Sequence, residues 1–383
     1  MQERTYFSDY LLIVLFLALI SAAFFQQATG IVPPIPNSEN RKLADKPVFN
    51  VNLLDPFPAA YESYYNDHFA FRNHFVSWYS YISFNVFDKS PYPDKVIIGK
   101  ENQLYLVTNE LDTYQGKMLF DELALEKIRK EFNFRKSYFA GKGIDYYMVI
   151  CPTKYSVYPE YLPWYIKPVS KVNRTDQFIQ VLQDLGIAVI DLRKPLREAK
   201  NNRTDQLYWP TDNHWSEIGA FLSYQAIVQQ LGTKHPELVV KQASDYAITP
   251  YVRDGGNLAA ILNMADKLPD TRFKFRPLFE NQTSMITPCP YAIPDKMDPN
   301  DFYHGYEMAP GSALPRIMIV HDSFGKVMFP FLKDGFSRTV FIWDKWQYKL
   351  NEIIIDEEKP DIYLTMTLES LLPGLVEHID ERN

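Results

Sequence analysis

The stretch Arg316-Ile-Met-Ile-Val-His-Asp-Ser-Phe-Gly325 decides how the rest of the chain is read. Ile317 to Val320 predict a short buried strand. The run stops at His321-Asp322-Ser323, and Gly325 permits a sharp turn into the next element. A serine at the tip of a buried strand, just before a helix, has its hydroxyl exposed and its own N–H free. Both are requirements of an acyl-transfer nucleophile. The missing partner is a base, and Trp209-Pro-Thr-Asp-Asn-His-Trp-Ser216 offers one.

Working outward, the flanking sequence alternates between strand and helix patterns. Lys95-Val-Ile-Ile98 and Gln103-Leu-Tyr-Leu-Val107 predict a hairpin around Gly99 to Asn102. Leu123, Leu125, Ile128 and Phe132 predict a helix that ends at Gly141 to Gly143. Strand Asp145–Cys151, a helix over 174–185 and strand Ile187–Leu192 follow. Ser216 then caps a helix with Ile218, Phe221, Leu222, Val228 and Leu231 inward. Residues 233–312, rich in Pro, Asn and Asp, read as an irregular insertion or cap. After Ser323 the pattern gives a helix, strand Arg338–Trp343, a helix near 349–356 and strand Asp361–Met366. Repeated βα units predict an α/β fold of flavodoxin-like type, a mostly parallel sheet with helices on both faces. Ligands of such sheets gather at the carboxyl ends of the strands, where Ser323 falls.

Ahead of this domain, taken as residues 60–383, lie two other segments. Tyr10 to Phe25 is an apolar run of membrane length, read as a signal anchor within residues 1–26. As a helix it covers roughly 24 Å, somewhat short of a bilayer core. Arg4 precedes it, while Arg41, Lys42 and Lys46 follow, so the charges hardly decide its orientation. Residues 27–59, with Pro33, Pro34, Pro36, Pro47, Pro56 and Pro58, read as an extended tether. Tyr61, Tyr64, Tyr65, Phe69, Phe71, Phe75 and Trp78 then predict aromatic helical packing. A formal charge of -7 supplies no basic footprint, which argues against nucleic acid as a partner. Cys151 and Cys289 either pair or stand as small buried hydrophobes.

Each candidate site residue has a plain reading beside the chemical one. Asp212 and His214, two apart in an extended segment, point the same way, so the carboxylate can fix the ring and leave Nε2 for a serine proton. Alternatively Asp212 caps a helix beside a surface histidine. Trp209 and Trp215 suit sugar rings if exposed and core packing if buried. Asp322 either serves chemistry or ties the turn to backbone N–H groups. A metal cluster of Asp212, His214, His321 and Asp322 ranks low, because neither pair has a helical ligand spacing; the reading includes no metal and no cofactor.

The pairing of Asp212-Asn-His-Trp-Ser216 with His321-Asp-Ser-Phe-Gly325 resembles the alginate O-acetyltransferase AlgJ/AlgX family. Asp67-His-Phe-Ala-Phe-Arg72, Ile97-Ile-Gly-Lys-Glu-Asn-Gln-Leu-Tyr105 and Cys151-Pro-Thr-Lys-Tyr-Ser-Val-Tyr-Pro-Glu160 add to the resemblance. It implies an SGNH-hydrolase-like domain with Ser323 as nucleophile, His214 as base and Asp212 as its orienting acid. His321 stands where the usual turn has glycine, so it is either tolerated at the strand end or lines the pocket. Ser323 N–H is the first expected oxyanion donor, and the Gly255-Gly256-Asn257 turn, through Gly256 and Asn257, the second. Trp209, Trp215, His321 and Trp343 are the expected substrate contacts. The resemblance further implies an O-acetyltransferase at the outer side of the cytoplasmic membrane. Its acceptor would be an exported polysaccharide, and a multispanning membrane acyltransferase would supply the acetyl group. A carbohydrate esterase with the same residues and a non-catalytic polysaccharide-binding component are the alternatives.

Overall fold

The computed structural model describes residues 3–33, 42–51, 54–294, 297–344 and 349–379. Pro34, Pro36 and Arg41, used above for the tether and the charge balance, lie outside them. In chain order the strands are β1 (Val96–Ile98), β2 (Leu104–Leu106), β3 (Asp145–Cys151), β4 (Ala188–Asp191), β5 (Tyr246–Arg253) and β6 (Asp270–Pro277). They continue with β7 (Thr283–Ile286), β8 (Tyr303–Met308), β9 (Arg316–His321), β10 (Arg338–Trp343) and β11 (Ile362–Leu368). Seven of them form the main sheet in the order β4-β3-β11-β9-β10-β8-β7. From β4 to β10 all neighbours are parallel. At the other edge β8 pairs antiparallel with β10, and β7 antiparallel with β8. The strand quoted first is thus the middle of the sheet, between β11 and β10.

Its sequence explains that position. Ile317 and Ile319 enter one hydrophobic core, with Ile218, Phe221, Tyr224 and Ile227 of the helix Glu217–Leu231. Met318 and Val320 enter the other, with Ile128, Phe132 and Phe139 of the helix Glu122–Lys142 and Phe178 of the helix Arg174–Asp184. A strand apolar at every position is one covered on both faces, as parallel strands are. This is the expected α/β layering.

Several elements differ from expectation. The segment 233–312 holds four strands: β5 and β6 pair as a separate ribbon, and β7 and β8 extend the main sheet. Thr271-Arg-Phe-Lys-Phe-Arg276 alternates as a half-exposed strand should, but short runs and prolines conceal the rest. The helix after Ser323 shrinks to a 3₁₀ turn, Gly325–Met328, and one turn at Phe329–Leu332, which carries Pro330 near its start. Cys151 is buried in β3, and both cysteines are free.

The chain divides into two compact units. One comprises residues 94–258 and 268–383, with the main sheet. The other comprises residues 1–93 and 259–267. It begins with a helix Glu3–Thr29, of which Phe7–Thr29 is long and apolar enough to cross a membrane, with mean hydropathy 2.2. Those 23 residues reach roughly 35 Å, longer than the apolar run alone suggests. The helices Pro56–His68 and Arg72–Asn85 follow.

Candidate active site

Two segments distant in sequence meet at the carboxyl end of β9. Ser323 lies on the turn that leaves the strand, and Asp322 braces that turn. Asp322 Oδ1 accepts from Phe324 N at 2.9 Å, and Oδ2 accepts from Leu368 N at 2.6 Å. The carboxylate thereby ties the serine turn to the end of β11, the backbone-binding role among its two readings. At Gly325 a side chain would collide with the His321 ring, so only glycine fits.

The second segment is a loop closed at its base by the Tyr208–Trp215 bridge and by Ser216 N donating to Leu207 O at 2.8 Å. Asp212 and His214 are brought together by a bend rather than by extended alternation. Asp212 Oδ1 accepts the His214 backbone N–H at 3.0 Å and lies 2.8 Å from ring Nδ1. That contact directs the other ring nitrogen outward, and Nε2 lies 2.9 Å from Ser323 Oγ. Asp212, His214 and Ser323 therefore form one hydrogen-bonded chain. Such a chain can draw off the serine proton.

The environment sets the charges. Burial opposes a charge on His214, but the bond to Asp212 and its negative charge outweigh burial and raise the ring above its ordinary pKa. Burial likewise pushes Asp212 up, yet the bond to His214, the imidazolium charge and the Asn257 N–H hold it below the usual carboxylate value.

Gly256 and Asn257 lie close by but their amides are already engaged. Gly256 N donates to Thr211 Oγ1 at 2.7 Å and Asn257 N to Asp212 Oδ2 at 3.0 Å. The oxyanion reading of these two N–H groups is corrected: Asn257 N–H holds the Asp212 carboxylate, and Gly256 N–H holds the Thr211 hydroxyl beside it. Gly256 packs so tightly that a Cβ there would strike the Asp212 carboxylate. Ser323 N–H makes no hydrogen bond among the described residues.

The aromatic expectations also change. Trp215 is fully buried; its Nε1 donates to Phe324 O at 3.2 Å and its ring meets Phe324 edge-on, so it supports the serine turn from below. Trp209 is buried, with the Arg272 guanidinium 3.8 Å from its ring centroid, which leaves that face no room for a sugar. His321 points into the core, where its ring meets Phe329, Phe341 and Trp343 edge-on and its Nδ1 contacts Asp322 O at 2.7 Å. Burial pulls its pKa down to about 4, and it lines no open pocket. Trp343 keeps partial exposure, with Lys326 Nζ 4.5 Å from its ring centroid.

Three residues with no role in the sequence reading complete the surroundings. Lys154 is wholly buried, and its Nζ lies within hydrogen-bond reach of the carbonyls of Leu104 (3.0 Å), Trp209 (2.9 Å), Pro210 (2.8 Å) and Asp212 (3.4 Å). Burial pulls its pKa down to about 7, against the charges of Asp270, Asp212 and Glu110. Asp270, also buried, accepts from Thr211 Oγ1 at 2.6 Å. Glu110 accepts from Asn213 Nδ2 at 3.0 Å, and burial pushes its pKa up to about 7. Lys154 stands in the quoted Cys151 to Glu160 motif, so a signal existed without a function attached. Glu110 carries no local signal at all. Among the described residues, no three His, Cys, Asp or Glu side chains are placed to share a metal ion.

The chain is similar to known proteins in sequence and in fold. Residues 96–284 match the family described as SGNH hydrolase-like domain, acetyltransferase AlgX. Over 192 residues the chain is 26% identical to the probable alginate O-acetylase AlgJ of Pseudomonas aeruginosa, covering 50% of this chain and 44% of that protein. The corresponding Pseudomonas syringae protein is 28% identical over 204 residues, 51% of this chain and 48% of its own length. The chain thus spans about half the length of these curated relatives. The structure of Bacillus cereus PatB1 with a sulfonyl adduct superposes with a TM-score of 0.55 at 17% identity, covering 72% of this chain and 95% of PatB1. That likeness concerns the fold, which is SGNH-hydrolase-like α/β. Over residues 96–284 the chain is thus similar in sequence to the AlgJ/AlgX-like family.

Proposed function

We propose that this protein is an O-acetyltransferase that esterifies hydroxyls of an exported polysaccharide, with Ser323 as nucleophile, His214 as base and Asp212 as the carboxylate that orients it. The observation that carries the reading is the unbroken chain from Asp212 Oδ1 to His214 and on to Ser323 Oγ, at 2.8 and 2.9 Å. Relatives named probable alginate O-acetylases supply the acceptor class.

In the first half-reaction Ser323 Oγ attacks the acyl carbon of the donor while its proton passes to His214 Nε2. The C–O bond to the donor breaks, and the departing oxygen takes the proton back from Nε2. Acetyl-serine remains. In the second half-reaction a sugar hydroxyl gives its proton to Nε2 and attacks the same carbon. Ser323 Oγ leaves and recovers that proton. Ser323 N–H is the proposed oxyanion donor, because it has no acceptor of its own among the described residues. The acetyl group would come from a multispanning membrane acyltransferase. The helix Phe7–Thr29 would keep the domain beside it on the outer face of the membrane.

Transfer and hydrolysis share the acetyl-serine and differ in its fate. The test incubates the full chain with an aryl acetate donor and a panel of oligosaccharides, read by mass spectrometry. Acetylated sugar as the main product supports the transferase. Free acetate alone across the panel replaces it by an esterase. Saturable sugar binding without donor consumption replaces both by a non-catalytic component.

A further inference from the structure

The helix Arg72–Asn85 is turned the opposite way from a helix that packs its apolar side inward. Its buried side chains are Ser77, Ser80, Ser83 and Phe84, and Ser80 is 0% exposed. Ser77 Oγ accepts from Lys267 Nζ at 2.9 Å, and both residues lie in the same compact unit. Phe75, Trp78, Tyr79 and Ile82 face outward, with Val86 continuing the line just past the helix end. Counted from Phe75 they fall at i, i+3, i+4, i+7 and i+11, one stripe of a helix. Trp78 is 63% exposed, Phe75 49% and Ile82 47%. From Phe75 to Phe87 the sequence has no Asp, Glu, Lys or Arg. Single exposed apolar side chains are ordinary, whereas an aligned run above a serine-lined inner face marks a surface with a partner.

We propose that this stripe lies against the membrane–water interface, with Phe75, Trp78, Tyr79 and Ile82 immersed at the boundary of headgroups and acyl chains. Three observations favour lipid over a protein groove. The stripe is the convex side of a helix, mixing tryptophan and tyrosine with aliphatic residues, the chemistry of interfacial belts. It carries no charge that lipid would have to desolvate. It is also close in sequence to the spanning helix Phe7–Thr29, with only residues 30–55 between that helix and the helix Pro56–His68. The inference rests on that helix entering the bilayer and is independent of the chemistry at Ser323.

The test places the full chain, with its first helix, in lipid nanodiscs. A nitroxide is attached through Ile82→Cys in a Cys289→Ser background, with Val239→Cys as the exposed control site. Collision of the label with oxygen and with a water-soluble nickel chelate is then measured. The expected result is preference for oxygen at position 82 and for nickel at position 239. Equal nickel access at the two positions overturns the proposal in favour of water. Shielding of position 82 from both reagents overturns it in favour of a protein contact. An independent measurement needs no label: brominated lipid should quench tryptophan fluorescence of the wild type, and Trp78→Phe should remove most of that quenching. Unchanged quenching in Trp78→Phe contradicts the proposal.

Discussion

At the scale of single residues, Asp212 is the centre of the site. One carboxylate oxygen holds His214 by backbone and ring, and the other takes the Asn257 amide. Replacing it with asparagine keeps the shape but lets the ring settle in the wrong tautomer. Asp212→Asn should therefore lower acetyl turnover on the order of 10⁴-fold with the fold intact. The pH profile gives a second check. His214 must be neutral to accept a proton, and Asp212 raises its pKa above the ordinary 6.5. The rate should fall as pH drops through that raised value, placing the acid limb above pH 6.5. In Asp212→Asn burial is opposed only by the weaker charges of Glu110 and Asp322, so the limb should move to lower pH. Lys154 makes a different prediction, because it gathers carbonyls from β2 and from the loop that bears Asp212. Lys154→Met strands those carbonyls and should cost about 1–3 kcal/mol in denaturant unfolding. It should also lower kcat more than it raises KM, since it disturbs the position of the base rather than the acceptor site. An unchanged kcat would show that the loop holds its geometry without the lysine.

At the scale of elements, the serine turn and the histidine loop are positioned by short pieces whose own sequence looks unremarkable. Gly256→Ala is the sharpest probe of this, because the added methyl meets the Asp212 carboxylate. A displacement of about 1 Å in a reacting group can cost 10²-fold. Gly256→Ala should thus lose rate on about that scale, with a circular dichroism spectrum like that of the wild type. The parallel strands were legible in the sequence because burial on both faces writes an uninterrupted apolar run, as in Ile317 to Val320. The antiparallel edge was not, since β7 and β8 are half-exposed and their pattern is diluted by polar residues. Asp212, His214 and Ser323 were legible as a pair of short motifs. Lys154, Glu110 and Asp270 act through partners far along the chain, which no local pattern records. The tryptophans misled for a related reason: an aromatic beside a reactive residue reads the same whether it faces a ligand or is buried, as Trp209 is beneath Arg272 and Trp215 is beneath the serine turn.

At the scale of the whole molecule, a mostly parallel sheet places Ser323, the proposed nucleophile, at the end of its middle strand, and a loop leading into the helix Glu217–Leu231 places His214, the proposed base, beside it. In the proposed function the apolar N-terminal helix would hold this apparatus at a membrane, where donor and nascent polymer would both arrive. Everything proposed for the chemistry passes through one covalent state, the acetyl ester on Ser323. The most direct test is peptide-resolved mass spectrometry of the full chain after rapid quenching with an aryl acetate and no acceptor. The wild type should carry one acetyl group on the peptide containing Ser323. Ser323→Ala should carry none, and its turnover should fall by about 10³-fold or more. An acetyl group found elsewhere, or a Ser323→Ala variant that consumes the donor at the wild-type rate, would contradict the account.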